Sequence, residues 1–215
     1  MGGNLALTPD KYGKRFRPVV AAIDRLHRVG QSTAIPVIVT NTRDCTGCYK
    51  KHAGTGEPIC IEVSKRNDGM ELTLAHEIGH FLEGALLPGS AFGARNWPSD
   101  NLTRGWRESV KSTESYRLLG RIAATGEVSR LDPERGGIVG ESLPGYVGYL
   151  MTEQELWARS YAQWVAVRGR TEPLIEQIQR SCFPRLAYPL QWKDGEFAPV
   201  AKALDALFEG IGWRK

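Results

Sequence analysis

The run His76-Glu77-Ile78-Gly79-His80 sets two imidazoles four residues apart, with a carboxylate directly after the first. On a helix of about 3.6 residues per turn, positions i and i+4 leave the same face one turn apart, so both rings can reach one divalent ion. Glu77 then lies beside the ion rather than on it. A carboxylate there takes a proton from water whose pKa the ion lowers to about 7. This is the chemistry of metal-assisted hydrolysis. The HExxH spacing arises by chance in roughly one chain in two hundred of this length and composition, which makes it a specific signal. The competing reading is a pair of half-buried histidines beside an ordinary surface glutamate. It is the weaker one, because Leu74, Ile78 and Phe81 recur at i, i+4 and i+7 and independently call for a helix with a core-facing stripe.

A catalytic ion of this kind takes a third protein ligand and keeps one position open. Of the two remaining histidines, His27 falls in an expected amphipathic helix, Arg17 to Val29, where a packed histidine is the better reading, and His52 falls in a Gly- and Lys-rich loop. The strongest carboxylate is Glu155, in an expected helix from Met151 to Ala166. Trp157, Tyr161 and Trp164, broadened by Leu156 and Val165, mark one face of that helix. Glu155, Ala158, Arg159, Ala162 and Ala166 mark another, whose alanines permit close approach to the HExxH helix. Glu155 is the expected third ligand.

Taken together, His76 to His80 and the segment Glu155-Leu156-Trp157-Ala158-Arg159-Ser160-Tyr161 resemble the gluzincins, metallopeptidases with two histidines and a downstream glutamate on zinc. With Glu153 two positions earlier, the glutamate helix resembles the catalytic domain of anthrax lethal factor-like peptidases. It is also similar to small HEIGH-type domains of phages and prophages, some joined to minor head proteins. That likeness runs from Pro58 to Val63, through Glu71 to Ala75, and resumes from Gly145 to Leu150, so roughly half of the chain is covered. The resemblance implies an α+β, zincin-like fold with a small mixed sheet packed on the HExxH helix and a largely helical C-terminal part. It implies one catalytic Zn2+ on His76, His80 and Glu155, with Glu77 as general base. It also implies a tyrosine shortly before the ligand glutamate, Tyr149 first and Tyr146 second. A hydroxyl placed there would stabilise negative charge developing on the carbonyl oxygen. The implied partner is a peptide or protein substrate, with a phage or host protein as a further partner. One departure stands out: thermolysin-like members carry an aspartate four residues after the ligand glutamate, where this chain has Arg159. Support for the ligand histidines is therefore left to Glu153, Glu71 or a backbone carbonyl.

The elements that must position these residues can be read in outline. The β-branched run Ile35 to Thr40 is expected to be a strand, and Ile59 to Val63 alternates as a half-buried strand should. The Asn67-Asp68-Gly69 turn then delivers the chain to the HExxH helix. Ile59 to Val63 is the candidate edge for an extended peptide to join. An insert from 85 to 143 is expected to hold one helix, Arg107 to Arg121, between polar flanks that could cap a cleft. Leu143 to Tyr149 reads as a Gly/Pro-punctuated loop into the ligand helix. Helices are expected at Thr171 to Arg180 and Pro199 to Phe208, buttressing the ligand helix.

The 215 residues, 41% hydrophobic and 24% charged, are enough for one sizeable core, so residues 1–215 are read as a single domain. The net charge of +4 is spread over scattered lysines and arginines, which favours solvated surface over a nucleic-acid interface. The N-terminal residues lack the pattern of a secretory signal, and no apolar run approaches the ~18 residues of a membrane span. A cytoplasmic protein without membrane contact is the expectation. Cys45 and Cys48, with His52 and Cys60, offer ligands for a second, structural zinc. Against it stand the single CxxC and the reducing compartment, which favour free thiols. No helix start follows Cys45 to make the pair a redox motif, and Cys182 reads as a buried thiol. The expected function is a zinc-dependent metallopeptidase. The alternatives are a zinc amidase acting on non-protein peptides and a phage-associated assembly protein that keeps the ion without turnover.

Overall fold

Strand β1 (Leu5–Ala6), helix α1 (Lys11–Leu26) and strand β2 (Ile35–Thr40) open the chain. They are followed by a hairpin of β3 (Gly47–Lys51) and β4 (Pro58–Ser64). The computed structural model describes residues 5–6, 11–28, 35–85, 100–126, 143–182 and 188–214. β2 pairs in parallel with β4, Val37 opposite Ile61 and Val39 opposite Val63, and β3 pairs antiparallel with β4. The two-residue β1 extends the sheet beyond β2, giving the order β1-β2-β4-β3. Strand alternation puts Ile35, Val37, Ile61 and Val63 on the face turned to the core, where all are buried. β4 is thus an interior strand. The free edge beside the site belongs not to Ile59 to Val63 but to β3, whose Cys48 the sequence offers as a zinc ligand.

Helix α2 (Met70–Ala85) carries the HExxH run and packs on β3 and β4. Leu74, Ile78 and Phe81 are buried as their spacing required. The insert forms two helices, α3 (Asp100–Lys111) and α4 (Glu114–Thr125), instead of the single expected Arg107 to Arg121 helix. The break is chemical. Thr113 stands at the N-cap of α4, its Oγ1 accepting from Tyr116 N and donating to Val110 O, and Trp192 Nε1 donates to the same hydroxyl. The flanks at 86–99 and 127–142 lie outside the described residues. Leu143–Leu150 is likewise a helix, α5, not a loop. Pro144 falls in its first turn, where a missing N–H costs nothing.

Helix α6 (Glu153–Gly169) is buried on all sides from Glu155 to Ala166, not on one face. It runs between α2 and helices α1, α7 (Glu172–Ser181) and α8 (Asp194–Gly210), so Trp157, Tyr161 and Trp164 all pack inside. The two helices approach closely at Gly79, where a Cβ would lie 2.9 Å from Ala158 Cα, and Trp157 Nε1 donates to Gly79 O at 2.9 Å. Two small residues thus bring the motif helix and the glutamate helix together. A second apolar cluster, Leu119, Ile122, Leu143, Val147, Leu150 and Tyr188, joins α4 to α5. No helix among the described residues is long and apolar enough to cross a membrane.

Candidate metal centre

The i,i+4 spacing on α2 and the start of α6 bring His76, His80 and Glu155 to one point. Their ligating atoms all lie within 4.8 Å of one another, and among the described residues they are the only group of three or more such side chains to do so. His76 Nε2 and His80 Nε2 are 3.1 Å apart. Glu155 Oε1 is 3.2 Å from His80 Nε2, and its Oε2 is 3.4 Å from His76 Nε2. A tetrahedral ion with bonds of about 2.05 Å has ligand-to-ligand edges of about 3.3 Å. The histidine pair is spaced as two such corners, and the Glu155 carboxylate turns one oxygen to each ring, so a small adjustment would bring one oxygen to the third corner.

Glu155 arrives there because its helix starts two residues earlier. Thr152 is the N-cap of α6 and its side chain accepts from Glu155 N. Thr152-Glu153-Gln154-Glu155 is a capping-box spelling, in which the glutamate side chain would reach back to the cap. Here the carboxylate instead turns to the histidines and also accepts a hydrogen bond from Tyr149 Oη. Burial raises the Glu155 carboxyl, but the hydrogen bonds from His76 and His80, with the Tyr149 hydroxyl, hold it far below the usual carboxylate range. Burial lowers the His80 pKa, and its contact with Glu155 outweighs that and carries it upward. The cluster is a negative charge held by donors that a cation would replace.

Glu77 sits beside this group, 6% exposed. Burial raises its carboxyl above 4.5, against the opposing pull of His76, His80 and the Tyr49 N–H. That N–H, on β3, donates to Glu77 Oε2 at 2.8 Å. The sequence reading missed this contact. It depends on Gly47, where a Cβ would fall 2.7 Å from Glu77 Oε1 and 2.4 Å from Thr73 Cγ2. The edge strand can lie this close to Glu77 only because it begins with glycine.

Tyr149 is 53% exposed on α5, and burial, then its bond to Glu155, raises its hydroxyl pKa well above the ordinary value. Tyr146 lies beside it, ring centroids 6.4 Å apart. Both line a cleft of about 1050 Å³ together with His76, Glu77, Glu155, Cys45 and Gln191. Both carboxylates offered as histidine supports are spent elsewhere. Glu71 is held by Arg15 and Gln177, and Glu153 pairs with Arg107 at 3.0 Å. Arg159, at the departure from the thermolysin pattern, is a buried clamp that donates to Leu150 O, Pro189 O and Leu190 O and lies over the Trp192 ring. Burial draws its pKa down to about 10, so it stays cationic at neutral pH.

The other sequence candidates lie apart from the centre. His27 is buried among Tyr161, Trp164, Phe208 and Trp213, with Nε2 3.1 Å from Tyr161 Oη. The second set, Cys45, Cys48, His52 and Cys60, is not assembled among the described residues. Cys48 stands opposite Glu62 and Cys60 opposite Lys50, Cys45 faces the cleft, and His52 lies past the strand in the hairpin turn. All four cysteines are free thiols. Compared with known proteins, the chain matches no family model, no curated protein and no solved structure.

Proposed function

We propose that the chain is a zinc-dependent peptidase of zincin type, using His76, His80 and Glu155 as ligands and Glu77 as general base. The observation that carries this reading is the convergence of His76, His80 and Glu155, with ligand atoms within 4.8 Å of one another, and a second, buried carboxylate, Glu77, beside them. Two imidazoles and one carboxylate form a donor set that suits zinc and leaves a position open. A bound ion would acidify water and polarise the substrate carbonyl. The raised carboxyl of Glu77 is suited to take the proton and deliver it to the departing amine. Tyr149, half exposed at the cleft wall, would be the donor for charge that develops on the carbonyl oxygen once an ion holds Glu155 and its hydroxyl turns from that carboxylate. The β3 edge beside α2 is where an extended peptide would lie.

Elemental analysis of purified protein, paired with digestion of an unstructured polypeptide, tests the reading. One zinc per chain, lost in His80→Ala and Glu155→Ala, and cleavage lost in Glu77→Gln with the zinc kept, is the expected result. A metal-replete protein that binds no zinc overturns it. Zinc without turnover, and with partner binding indifferent to Glu77→Gln, would favour an assembly role instead.

A further inference from the structure

Two glutamines, Gln177 and Gln191, line the cleft, and a third, Gln163, is buried behind it on α6; they differ in what satisfies them. Gln163, buried on α6, meets the main chain of one residue at both its N–H and its C=O, its Nε2 donating to Trp192 O at 2.7 Å and its Oε1 accepting from Trp192 N at 3.0 Å. Gln177 on α7 accepts from Leu72 N at 2.9 Å and donates to Glu71 at 2.8 Å. Gln191 is different. It lines the cleft, is only 4% exposed, and its Oε1 has no hydrogen-bond partner among the described residues.

A buried carbonyl without a donor costs stability, and nearly all such groups in folded proteins are paired. Where one persists beside a candidate active site, use in binding is the physical reason to look for. The wall that carries Gln191 is firmly placed. Leu190 N and Gln191 N both donate to Ser181 O, and the Leu190 carbonyl is held by Arg159, one turn along α6 from Glu155.

We propose that Gln191 is a substrate-binding residue of the cleft whose carboxamide pairs with an amide of the bound peptide. Oε1 is shut from solvent as it stands, so the side chain must turn about its torsions to offer Oε1 to a substrate N–H and Nε2 to a substrate C=O. The proposal rests on the peptidase reading. Its chemistry is the one that Gln163 already displays with Trp192, a neutral carboxamide closed by the main-chain N–H and C=O of one residue. The complementary amide comes from the peptide main chain or from an asparagine or glutamine side chain.

The test presents a blocked-end octapeptide library, randomised at every position, to metal-replete wild type and Gln191→Met, with cleavage followed by mass spectrometry. The same library is retained by ultrafiltration on Glu77→Gln and on Glu77→Gln/Gln191→Met. Gln191→Met should lose about tenfold in kcat/KM, mostly through KM, and retention should fall to match; tenfold corresponds to about 1.4 kcal/mol. Its Tm should hold or rise, since an unpaired buried acceptor has been removed. Loss confined to peptides with Asn or Gln at one position identifies a side-chain amide. Loss across all sequences, reproduced by N-methylating one backbone amide, identifies the main chain. Cleavage and retention equal to wild type overturn the inference and leave the peptidase reading intact, and a Tm lower by several degrees overturns it in favour of plain packing. Retention that depends on Gln191 in a protein that cleaves nothing supports the subsite and overturns the peptidase reading. No retention and no cleavage overturn both.

Discussion

Glu77 is placed by a residue with no side chain. Its carboxylate accepts from Tyr49 N only because Gly47 leaves room, and a methyl group at 47 would contact both Glu77 Oε1 and Thr73 Cγ2 below 3 Å. Gly47→Ala must therefore displace the edge strand or the carboxylate. Overpacking of this kind costs about 1–3 kcal/mol. The expected outcome is a lower Tm and a marked loss of turnover with metal content unchanged, checked by thermal melts, elemental analysis and peptide cleavage. Cleavage at the wild-type rate would show that the Tyr49 to Glu77 contact does not position the base. Glu77→Gln probes the other side of the same contact. The amide keeps an acceptor for Tyr49 N but cannot take a proton, so cleavage should fall by about 10²–10⁴-fold, as for a lost general base, with little change in Tm.

At the scale of elements, the centre is an agreement between two helices, and its weakest tolerance is at Gly79. His76 and His80 sit on α2 and Glu155 on α6, and a side chain at 79 would press directly on the backbone of Ala158, 2.9 Å away. Backbone cannot rotate aside as a side chain can. Gly79→Ala should part the helices by several tenths of an ångström, lower stability by about 1–3 kcal/mol and weaken metal binding. Gly84→Ala, which has only ordinary contacts at 3.6 Å and beyond, is the control that should retain the ion. Equal metal affinity in the two variants would mean that helix spacing does not set the site. The helix-borne parts were legible in the sequence because a helix has a fixed pitch: His76, His80 and the Leu74, Ile78, Phe81 stripe follow from spacing alone. Glu155 was legible from its helix and the small residues beyond it. What could not be read depends on strand pairing and side-chain closure across the chain. The β3 edge hides within a CxxC that resembles a metal knuckle. The split between α3 and α4 is set by Thr113 with Trp192, distant in sequence, and the Gln191 carboxamide has no local signature at all. Arg159 was visible as a departure from a pattern, but its three carbonyl partners lie in α5 and residues 189–190, which only the tertiary structure brings near.

At the scale of the whole molecule, the start of α2 is tied to distant parts of the chain by one carboxylate. Arg15 on α1 makes a two-pronged contact with Glu71, Nε to Oε1 at 2.5 Å and Nη2 to Oε2 at 2.8 Å, and Gln177 on α7 donates to Oε2 as well. Burial raises the Glu71 carboxyl, but the hydrogen bonds from Arg15 and Gln177 outweigh it, so its pKa in the folded protein lies below the ordinary 4.5. The unfolded chain then binds the proton more readily than the folded one, and stability from this contact falls as pH falls. It is fully present above the ordinary carboxylate value and is lost progressively below pH 4.5, as acid protonates Glu71 in the folded state. With the Arg15 side chain 38% exposed, solvent screening keeps the effect modest. Glu71→Gln keeps the shape and removes the charge, so its Tm should lie below wild type at pH 7 and the gap should close as the pH drops below 4.5. Both proteins must be melted free of metal, because protons compete with an ion for its ligands and metal binding would add its own pH dependence. A gap that stays constant from pH 7 to pH 3 would mean that the three helices are joined by packing, with the charge of Glu71 contributing nothing.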